Sequence, residues 1–310
     1  MKIFYGLKNL NQFSKPVLAL GVFDGVHAAH IHILKSVARL ARRIKGTAVV
    51  LTFWPHPQKE GSLYSLEHRL RLIAAQGIDV CIVINFNRNF SAMSAEDFIR
   101  KILGEKIGAR YIYIGKNFRF GKNAAGDFKL LKKSAGVYKF KVKTFPLLKI
   151  NHQAVSSSNI RRLILQGRLK EAEKLLSRPV GILGTVVRGV SLGKKLGYPT
   201  ANINPHHEVL PPAGIYAVKV FLENKNLPGL CYIGSRPTFV RQRSHNIEVY
   251  IFDFKQNIYG KYLEIKFIEK IRGDRKFSSP QLLVQQIQKD VFSARKIFSL
   301  PLNLPQDMPR

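Results

Sequence analysis

The spacing of the apolar runs changes in the middle of this sequence, and that change restricts the folds open to it. Up to about residue 178, runs such as VLALGVF, AVVLTF, DVCIVINF and ARYIYIG alternate with amphipathic stretches such as LEHRLRLIAAQ and AEDFIRKILGEKI. After the first run, Ile31, Leu34, Val37, Ala38 and Ala41 have helical spacing. Strands that alternate with helices predict a mostly parallel, Rossmann-like α/β sheet covered on both faces.

Beyond residue 178 the strand-like runs lie much closer together. They are ILGTVVRG, GIYAVKVFL, LCYIG, IEVYIFDF and YLEIKFIEKI, and they leave no room for crossover helices. This spacing predicts antiparallel pairing in a small barrel or sandwich. Ser279 and Pro280 then precede the amphipathic run QLLVQQIQKDVFSARKIF and are residues typical of a helix start. We therefore expect a terminal helix.

A helical segment connects the two halves. Residues 156–176, SSSNIRRLILQGRLKEAEKLL, have helical spacing of leucine and isoleucine after a serine cap. At 310 residues the chain is long enough for two domains that each bury a core. The expected boundary lies near Ser177 to Val180, which gives domains at 1–178 and 179–310.

The composition restricts the partners and the compartment. The net charge of +32 favours anionic partners without separating nucleic acid from small phosphorylated substrates. Cys81 and Cys231 are far apart in sequence and flanked by apolar residues, which favours a reducing compartment over a disulfide framework or a thiolate zinc site. The N-terminus lacks the apolar core of a signal peptide, and no apolar run approaches the roughly 18 residues that span a bilayer. We expect an untargeted cytoplasmic protein with no membrane partner.

Two histidines stand where the first strand passes into the first helix. The segment Gly21-Val-Phe-Asp-Gly-Val-His-Ala-Ala-His30 lies at the carboxyl edge of the predicted sheet, where open α/β sheets bind ligands. His27 and His30 are three residues apart and face one side of the helix start, where the helix already favours anions. This arrangement favours phosphate chemistry and would suit nucleotidyl transfer. Two alternatives remain open, which are packing of the helix start and a metal site that includes His32.

The second half contains a glycine-rich segment and an isolated acidic residue. Glycines at 184, 189, 193 and 197 allow sharp turns that present N–H groups to phosphates, although the spacing is not that of a Walker loop. Thr200 and Asn202 supply hard oxygen ligands two residues apart, which suit Mg²⁺. Glu248 lies in IEVYIFDF between apolar residues, and a carboxylate that is partly desolvated is a better proton acceptor for activating an alcohol. The alternative is a strand glutamate paired with a neighbouring Arg or Lys.

The motifs of the first half resemble a known family. The run G-x-F-D-G-V-H-x-x-H is similar to the signature of the FMN adenylyltransferase domain of the bacterial bifunctional riboflavin kinase and FAD synthetase family, a relative of other HxGH nucleotidyltransferases. Further segments agree in order and spacing: Phe53-Trp-Pro-His-Pro57, Ile114-Gly-Lys-Asn-Phe-Arg-Phe-Gly121 with Gly126-Asp127, and Ser156-Ser-Ser-Asn-Ile-Arg161.

The resemblance implies that the FMN phosphate attacks the α-phosphorus of ATP with Mg²⁺ bound, and that pyrophosphate leaves. His27 and His30 would then be catalytic and contact the ATP phosphates. The implied nucleotide-binding residues are Gly21, Phe23, Asp24, His56, Asn117, Ser157, Ser158 and Arg161. Guanidinium and imidazole groups stabilise a transferring phosphoryl group by position and charge. Structural alternatives are a rigid Pro55-His56-Pro57 turn and a solvated Arg161.

The second half resembles the riboflavin kinase domain of the same family over residues 179–298. The segments G-T-V-V-x-G, L-G-Y-P-T-A-N-I, G-I-Y, I-G-x-R-P-T-F and I-E-V-Y-I-F-D-F occur in the family's order. This resemblance implies a small Greek-key barrel in which Glu248 takes the proton from the riboflavin 5′-hydroxyl. Thr200 and Asn202 would bind Mg²⁺ and ATP phosphate, and the loop with Gly184, Gly189, Gly193 and Gly197 would cover the phosphates. Arg275 would approach flavin or nucleotide, with a surface role as the alternative.

Two positions depart from the family pattern. Ala29 replaces the glycine of HxGH, which would damage the site if that position needs a positive φ and would be harmless in an ordinary helical residue. Tyr232 stands where relatives often have Asn, so the contacts on the flavin side differ. Ala29 supports one alternative function, a monofunctional riboflavin kinase with an inactive first domain.

A nucleic-acid-binding protein is the other alternative. It is prompted by the charge and by Lys129 to Lys143, where lysines surround Tyr138 and Phe140. The sequence contains no RNP, KH or helix-turn-helix signature, so we favour small-molecule substrates, namely riboflavin, FMN and ATP. The oligomeric state is not predicted.

Overall fold

The computed structural model describes residues 1–301 apart from residues 9, 11, 57–61, 190–192, 194–195 and 236–244. Pro57, parts of the glycine-rich segment and the R-P-T-F motif lie outside the described residues. The chain divides into two compact units. One contains Met1–Ile160 with Leu175–Ser177, and the other contains Arg161–Lys174 and the chain from Arg178 onward. The division predicted at residue 178 remains a proposal, because the second unit takes in part of the connecting segment.

The first unit is built on a six-stranded parallel sheet. Its strands are β1 (Lys2–Tyr5), β2 (Val17–Leu20), β3 (Ala48–Trp54), β4 (Val80–Asn85), β5 (Tyr111–Gly115) and β6 (Lys141–Phe145). Their order is β1-β4-β3-β2-β5-β6, and each pair in this order is parallel.

Helices connect these strands. They are α1 (Ala28–Arg43), α2 (Leu66–Ala74), the short α3 (Arg88–Ser91), α4 (Ala95–Asp97) with the π-helical segment Phe98–Lys106, and α5 (Phe128–Ser134). A two-stranded hairpin, β7 (Lys149–Ile150) and β8 (Gln153–Ala154), follows β6.

Apolar side chains cover both faces of the sheet. Alternate residues of a strand face opposite sides, so Leu18 belongs to one apolar cluster and Val17 to another. Phe98 packs into the first cluster, and Leu34 of α1 packs into the second. The predicted Rossmann-like sheet with covered faces is therefore confirmed.

The connecting segment forms two helices, α6 (Ser157–Leu165) and α7 (Leu169–Leu176). Ser156 caps the first, because its hydroxyl accepts a hydrogen bond from the Asn159 N–H at 3.3 Å. Gly167, with φ of +74°, lies between them. A left-handed residue of this kind ends a helix, and glycine adopts that conformation without steric cost.

The second unit is a closed antiparallel barrel. Its strands are β9 (Gly181–Val187), β10 (Ala201–Asn204), β11 (Gly214–Leu222), β12 (Lys225–Ser235), β13 (His245–Ile251) and β14 (Tyr262–Gly273). They close in the order β10-β13-β12-β11-β14-β9, with β10 paired to β9. This arrangement confirms the predicted antiparallel barrel.

The terminal helix α8 (Pro280–Ile297) begins as predicted. The Ser279 hydroxyl accepts a hydrogen bond from the Leu282 N–H at 3.3 Å, and Pro280 occupies the first turn. Val291 and Ala294 bury one face of α8 in an apolar cluster with Tyr198 and Phe252. Among the described residues, no helix is both long and apolar enough to cross a bilayer.

Candidate functional sites

The first candidate site lies where the strand order of the parallel sheet reverses. The chain passes from β2 through α1 to β3 on one side of β2, whereas β5 pairs with the other side of β2. The carboxyl ends of these three strands lead into Gly21, His56 and Asn117, respectively. Ligands of open α/β sheets bind at such a reversal. The topology therefore brings these segments to one edge of the sheet.

The turn between β2 and α1 has an unusual backbone. Phe23, Gly25 and Val26 have φ values of +53°, +77° and +38°. A positive φ is uncommon for Phe and rarer for a β-branched residue, and such strain concentrates at functional sites. A Cβ on Gly21 would lie 3.1 Å from the Phe23 ring, so glycine allows the ring to fold back over the strand end.

Asp24 is buried in this turn and ties it to neighbouring segments. The N–H of Leu63 donates to both carboxylate oxygens, at 2.8 and 3.0 Å. The His56 Nε2 lies 3.9 Å from the same carboxylate. The Asp24 backbone carbonyl accepts a hydrogen bond from the Ser157 hydroxyl at 2.9 Å. The start of α6 is therefore held beside the turn, as a second helix N-terminus suited to anions.

His27 and His30 lie together at the start of α1. Nδ1 of His27 caps the helix by accepting a hydrogen bond from the His30 N–H at 3.4 Å, and the two rings stack with their centroids 3.6 Å apart. His27 is buried and His30 is half-buried beside Phe23. His32 is exposed and contacts Phe145 instead, with the ring centroids 5.3 Å apart. The structure thus brings together the two histidines predicted to act on phosphate.

Ala29 lies within α1 and has no positive φ. At an ordinary helical position alanine is more favourable than glycine. The backbone at Ala29 therefore matches the alternative in which alanine in place of the HxGH glycine is harmless.

The remaining predicted residues of this half differ in exposure. Asn117 is exposed in the turn that follows β5, and Ser158 is exposed at the start of α6. Arg161 is half-buried, one helical turn after Ser157. The Gly126-Asp127 motif forms a bridge to Phe120 and caps α5, where the Asp127 carboxylate accepts from the Leu130 N–H at 3.0 Å.

The second candidate site is a cluster of oxygen and amide groups on the barrel. The Thr200 hydroxyl donates to one carboxylate oxygen of Glu248 at 2.9 Å, and the Asn246 amide donates to the other at 2.6 Å. Asn202 lies directly opposite Glu248 in the β10–β13 pairing. Within the described part of the chain, these contacts to Glu248 come from a hydroxyl and an amide and not from an Arg or Lys, which favours the role of a base over that of a strand glutamate in an ion pair.

Sequence reasoning missed Asn246. Residues two apart on a strand face the same side of a sheet, so its position relative to Glu248 was an available signal.

Two glycines pack directly against this cluster. A Cβ on Gly189 would overlap the side chain of Asn202, and a Cβ on Gly193 would overlap the Tyr198 carbonyl oxygen and lie 3.0 Å from the Thr200 hydroxyl. Gly197 has φ of +85°. The backbone can therefore approach the oxygen ligands closely, as a phosphate-covering loop requires.

Gly184 is placed differently from the other three glycines. It lies within β9, where a Cβ would overlap Ile203 of β10. The close packing of β9 against β10 at this position leaves no room for a side chain, which explains the glycine.

The far end of β14 approaches the same part of the barrel. Tyr232 pairs with Glu248 across β12 and β13, and burial together with the Asp274 carboxylate raises the pKa of its phenol. Arg275 is exposed, with its guanidinium 5.1 Å from the Phe277 ring centre.

Sequence reasoning missed Arg272, whose guanidinium forms a bidentate ion pair with the buried Asp290 of α8, at 3.0 and 2.8 Å.

The donor set of the barrel fits a magnesium ion. Thr200 and Asn202 offer a hydroxyl and an amide carbonyl beside the Glu248 carboxylate, and Mg²⁺ prefers oxygen ligands with few protein groups. The fold defines a protein that joins an α/β nucleotidyltransferase-like unit to a closed antiparallel barrel with a terminal helix.

Comparison with known proteins identifies the family within this class of two-unit proteins. The family described as FAD synthetase matches residues 10–159, and the family described as riboflavin kinase matches residues 176–298. Three relatives named bifunctional riboflavin kinase/FMN adenylyltransferase align over most of the chain. The protein of Buchnera aphidicola subsp. Schizaphis graminum is 36% identical, over 97% of this chain and 100% of its own length. That of Escherichia coli K12 is 34% identical over 97% and 99%, and that of Bacillus subtilis is 33% identical over 92% and 93%.

The chain belongs to the bifunctional riboflavin kinase/FMN adenylyltransferase family, as its motifs predicted. A crystal structure described as a macrolide-efflux protein from Streptococcus pneumoniae has the same fold, with a TM-score of 0.83 and 28% identity over 95% of this chain and 99% of that one. The efflux description belongs to that protein.

Proposed function

We propose that the protein makes FAD from riboflavin in two ATP-dependent steps, one in each unit. The observation that carries the proposal is that each family match falls on a part of the chain with its own candidate phosphate site. This arrangement favours two activities over a kinase with an inactive first domain. Because both steps consume ATP, we infer that the enzyme works in the cytoplasm.

In the kinase step, the riboflavin 5′-hydroxyl attacks the γ-phosphorus of ATP, and ADP leaves. Glu248 accepts the hydroxyl proton, and Asn246 holds one carboxylate oxygen so that the other faces Thr200. Thr200 and Asn202 would hold Mg²⁺, which neutralises charge on the phosphates when bound. Backbone N–H groups near Gly189 and Gly193 cover the phosphates, and Arg275 contacts flavin or nucleotide.

In the adenylyltransferase step, a phosphate oxygen of FMN attacks the α-phosphorus of ATP. The bond to pyrophosphate breaks, and FAD forms. His27, His30 and His56 donate hydrogen bonds to phosphate oxygens as their charge grows, and the two helix starts add N–H groups from α1 and α6. The side chains of this unit proposed to bind the nucleotide around them are Asn117, Ser157 and Ser158, while nucleotide binding by Arg161, which the division of the chain assigns to the other unit, stays a prediction from the motif.

Incubation of the purified protein with riboflavin, ATP and Mg²⁺, followed by separation of the flavins, tests the proposal. FAD as product is the expected result. FMN alone would show a monofunctional kinase. If neither flavin product forms and the protein binds RNA in a salt-dependent manner, the nucleic-acid-binding alternative is correct.

A further inference from the structure

One buried cation beneath the first site has no part in the mechanism above. Arg69 lies on α2, and its side chain is 0% exposed. Its Nη1 donates to the backbone carbonyls of Val22, at 2.5 Å, and of Phe53, at 3.4 Å. The guanidinium lies 5.2 Å from the centre of the Trp54 ring. Its Nε and Nη2 have no hydrogen-bond partner among the described residues.

Burial of a guanidinium is costly, so this position needs an explanation. Burial of an ion carries a large desolvation penalty, and apolar residues can hold two strands together at lower cost. Burial lowers the pKa of Arg69, while the negative charge of the nearby Asp24 opposes that shift. The opposite charges of Arg69 and Asp24 therefore favour each other in this buried region.

The two carbonyl groups held by Arg69 precede the segments that carry the site. Val22 comes directly before Phe23, the first residue of the turn with a positive φ. The Val22 carbonyl also accepts a hydrogen bond from the buried Thr52 hydroxyl at 2.8 Å. Phe53 lies three residues before His56. Arg69 and Thr52 therefore connect the turn that carries Asp24 and His27 to the strand that leads to His56.

We propose that Arg69 is a positioning residue for adenylyl transfer, which holds the Phe23–His27 turn and the segment before His56 in register through the carbonyls of Val22 and Phe53. The inference rests on the proposed function of the first unit. Misplacement of catalytic groups by about 1 Å can lower a rate by about 100-fold. Replacement of Arg69 should therefore lower kcat for adenylyl transfer.

The test compares Arg69→Lys, Arg69→Met and Thr52→Val in FAD formation from supplied FMN and ATP. Arg69→Lys keeps the charge but loses the planar fork. We expect kcat to fall by about tenfold or more in Arg69→Met and less in Arg69→Lys, with the KM for ATP changed by less than about threefold. Thr52→Val should also lower kcat. Both donors bind the same Val22 carbonyl. The double variant Thr52→Val with Arg69→Lys should therefore lose less kcat than the product of the two single-variant fold-changes.

The matched control is Arg71→Met, on the exposed side of the same helix, where Arg71 pairs with Glu67. It should keep the wild-type kcat, and riboflavin phosphorylation should be unchanged in every variant. If Arg69→Met does not fold, Arg69→Lys and Thr52→Val decide the question. The inference is wrong if Arg69→Lys and Thr52→Val both retain kcat for FAD formation within about twofold, or if their fold-changes in kcat multiply in the double variant. It is also wrong if riboflavin kinase activity falls as much as FAD formation does. A wild-type protein that makes no FAD would instead refute the proposed function.

Discussion

The hydroxyl of Thr200 donates a hydrogen bond to the Glu248 carboxylate at 2.9 Å, which joins a proposed metal ligand to the proposed base. The contact links β10 to β13, and Asn246 occupies the other carboxylate oxygen. The carboxylate is thus held in one orientation before substrate binds, which reduces the reorganisation needed for proton transfer.

Glu248→Gln should abolish FMN formation and spare FAD formation from supplied FMN. The amide retains the shape of the side chain but cannot accept the hydroxyl proton, and loss of a general base lowers rates by about 100-fold or more. Separation of flavins after incubation with riboflavin or FMN measures both steps. Glu264→Gln on β14, which removes a carboxylate that pairs with Lys266, is the control. Loss of both activities in a folded Glu248→Gln protein would contradict separate sites.

Gly189→Ala should lower kinase activity by about tenfold or more, because the new methyl group would displace the Asn202 side chain. FAD formation from FMN should not change. Gly273→Ala is a suitable control, since a Cβ there meets no atom within 4 Å. Steady-state kinetics with riboflavin and ATP measure the effect, and equal activities of the two variants would argue against close approach of the loop to Asn202.

His27→Asn should separate the capping role of His27 from its chemical role. Asparagine is a good N-cap, so the helix should stay within about 1 kcal/mol of its original stability, whereas the imidazole is lost. We expect FAD formation to fall by about 100-fold or more. Thermal unfolding and FMN adenylylation are the two measurements. A fully active variant would mean that His27 only caps α1.

Ala29→Gly, which restores the family's HxGH pattern, should leave FAD formation unchanged within about twofold. The position is helical, so glycine brings no catalytic benefit and costs up to about 1 kcal/mol of stability. Kinetics of FMN adenylylation and the melting temperature test both parts. A large gain in rate would show that the alanine methyl group obstructs the nucleotide.

The thiols should not react with a disulfide reagent in the folded protein. Burial raises the pKa of Cys81 from 9.0 to about 12, and it also raises that of Cys231. The reactive thiolate is therefore scarce at about pH 8, and labelling should require unfolding. Since an unfolded Cys81 ionises near 9.0, its contribution to the free energy of unfolding is constant below that pH and is lost as the pH rises towards about 12. Rapid labelling of the native protein would contradict the burial.

The strand and helix order of both halves could be predicted because most elements have clear apolar periods. The strand β1 is not predicted because Lys2–Tyr5 shows no alternation of polar and apolar residues. The strand β6 is not predicted because its lysines continue the lysine-rich stretch from Lys129 to Lys143, which is typical of a solvated surface. The strand β10, Ala-Asn-Ile-Asn, does alternate apolar and polar residues, but four residues are too few for that alternation to identify a strand.

The site residues were predictable only where a motif marks them. The spacing that grouped Gly184 with the loop glycines does not show that it lies inside a strand. Arg69 gave no signal, because an arginine on an amphipathic helix normally faces solvent, and only the tertiary structure places it under the turn. The ion pair of Arg272 with Asp290 joins residues from separate elements, which a single sequence does not reveal.

The lysines of β6 lie on the last strand in the order of the parallel sheet. As the last strand in the sheet order, β6 offers one row of backbone groups for pairing with another chain. Two copies that docked along this edge would bring Lys141 and Lys143 of each close together, and like charges facing one another destabilise such pairing. We therefore expect part of the large positive charge to oppose aggregation, so that replacing these lysines should lower solubility more than turnover.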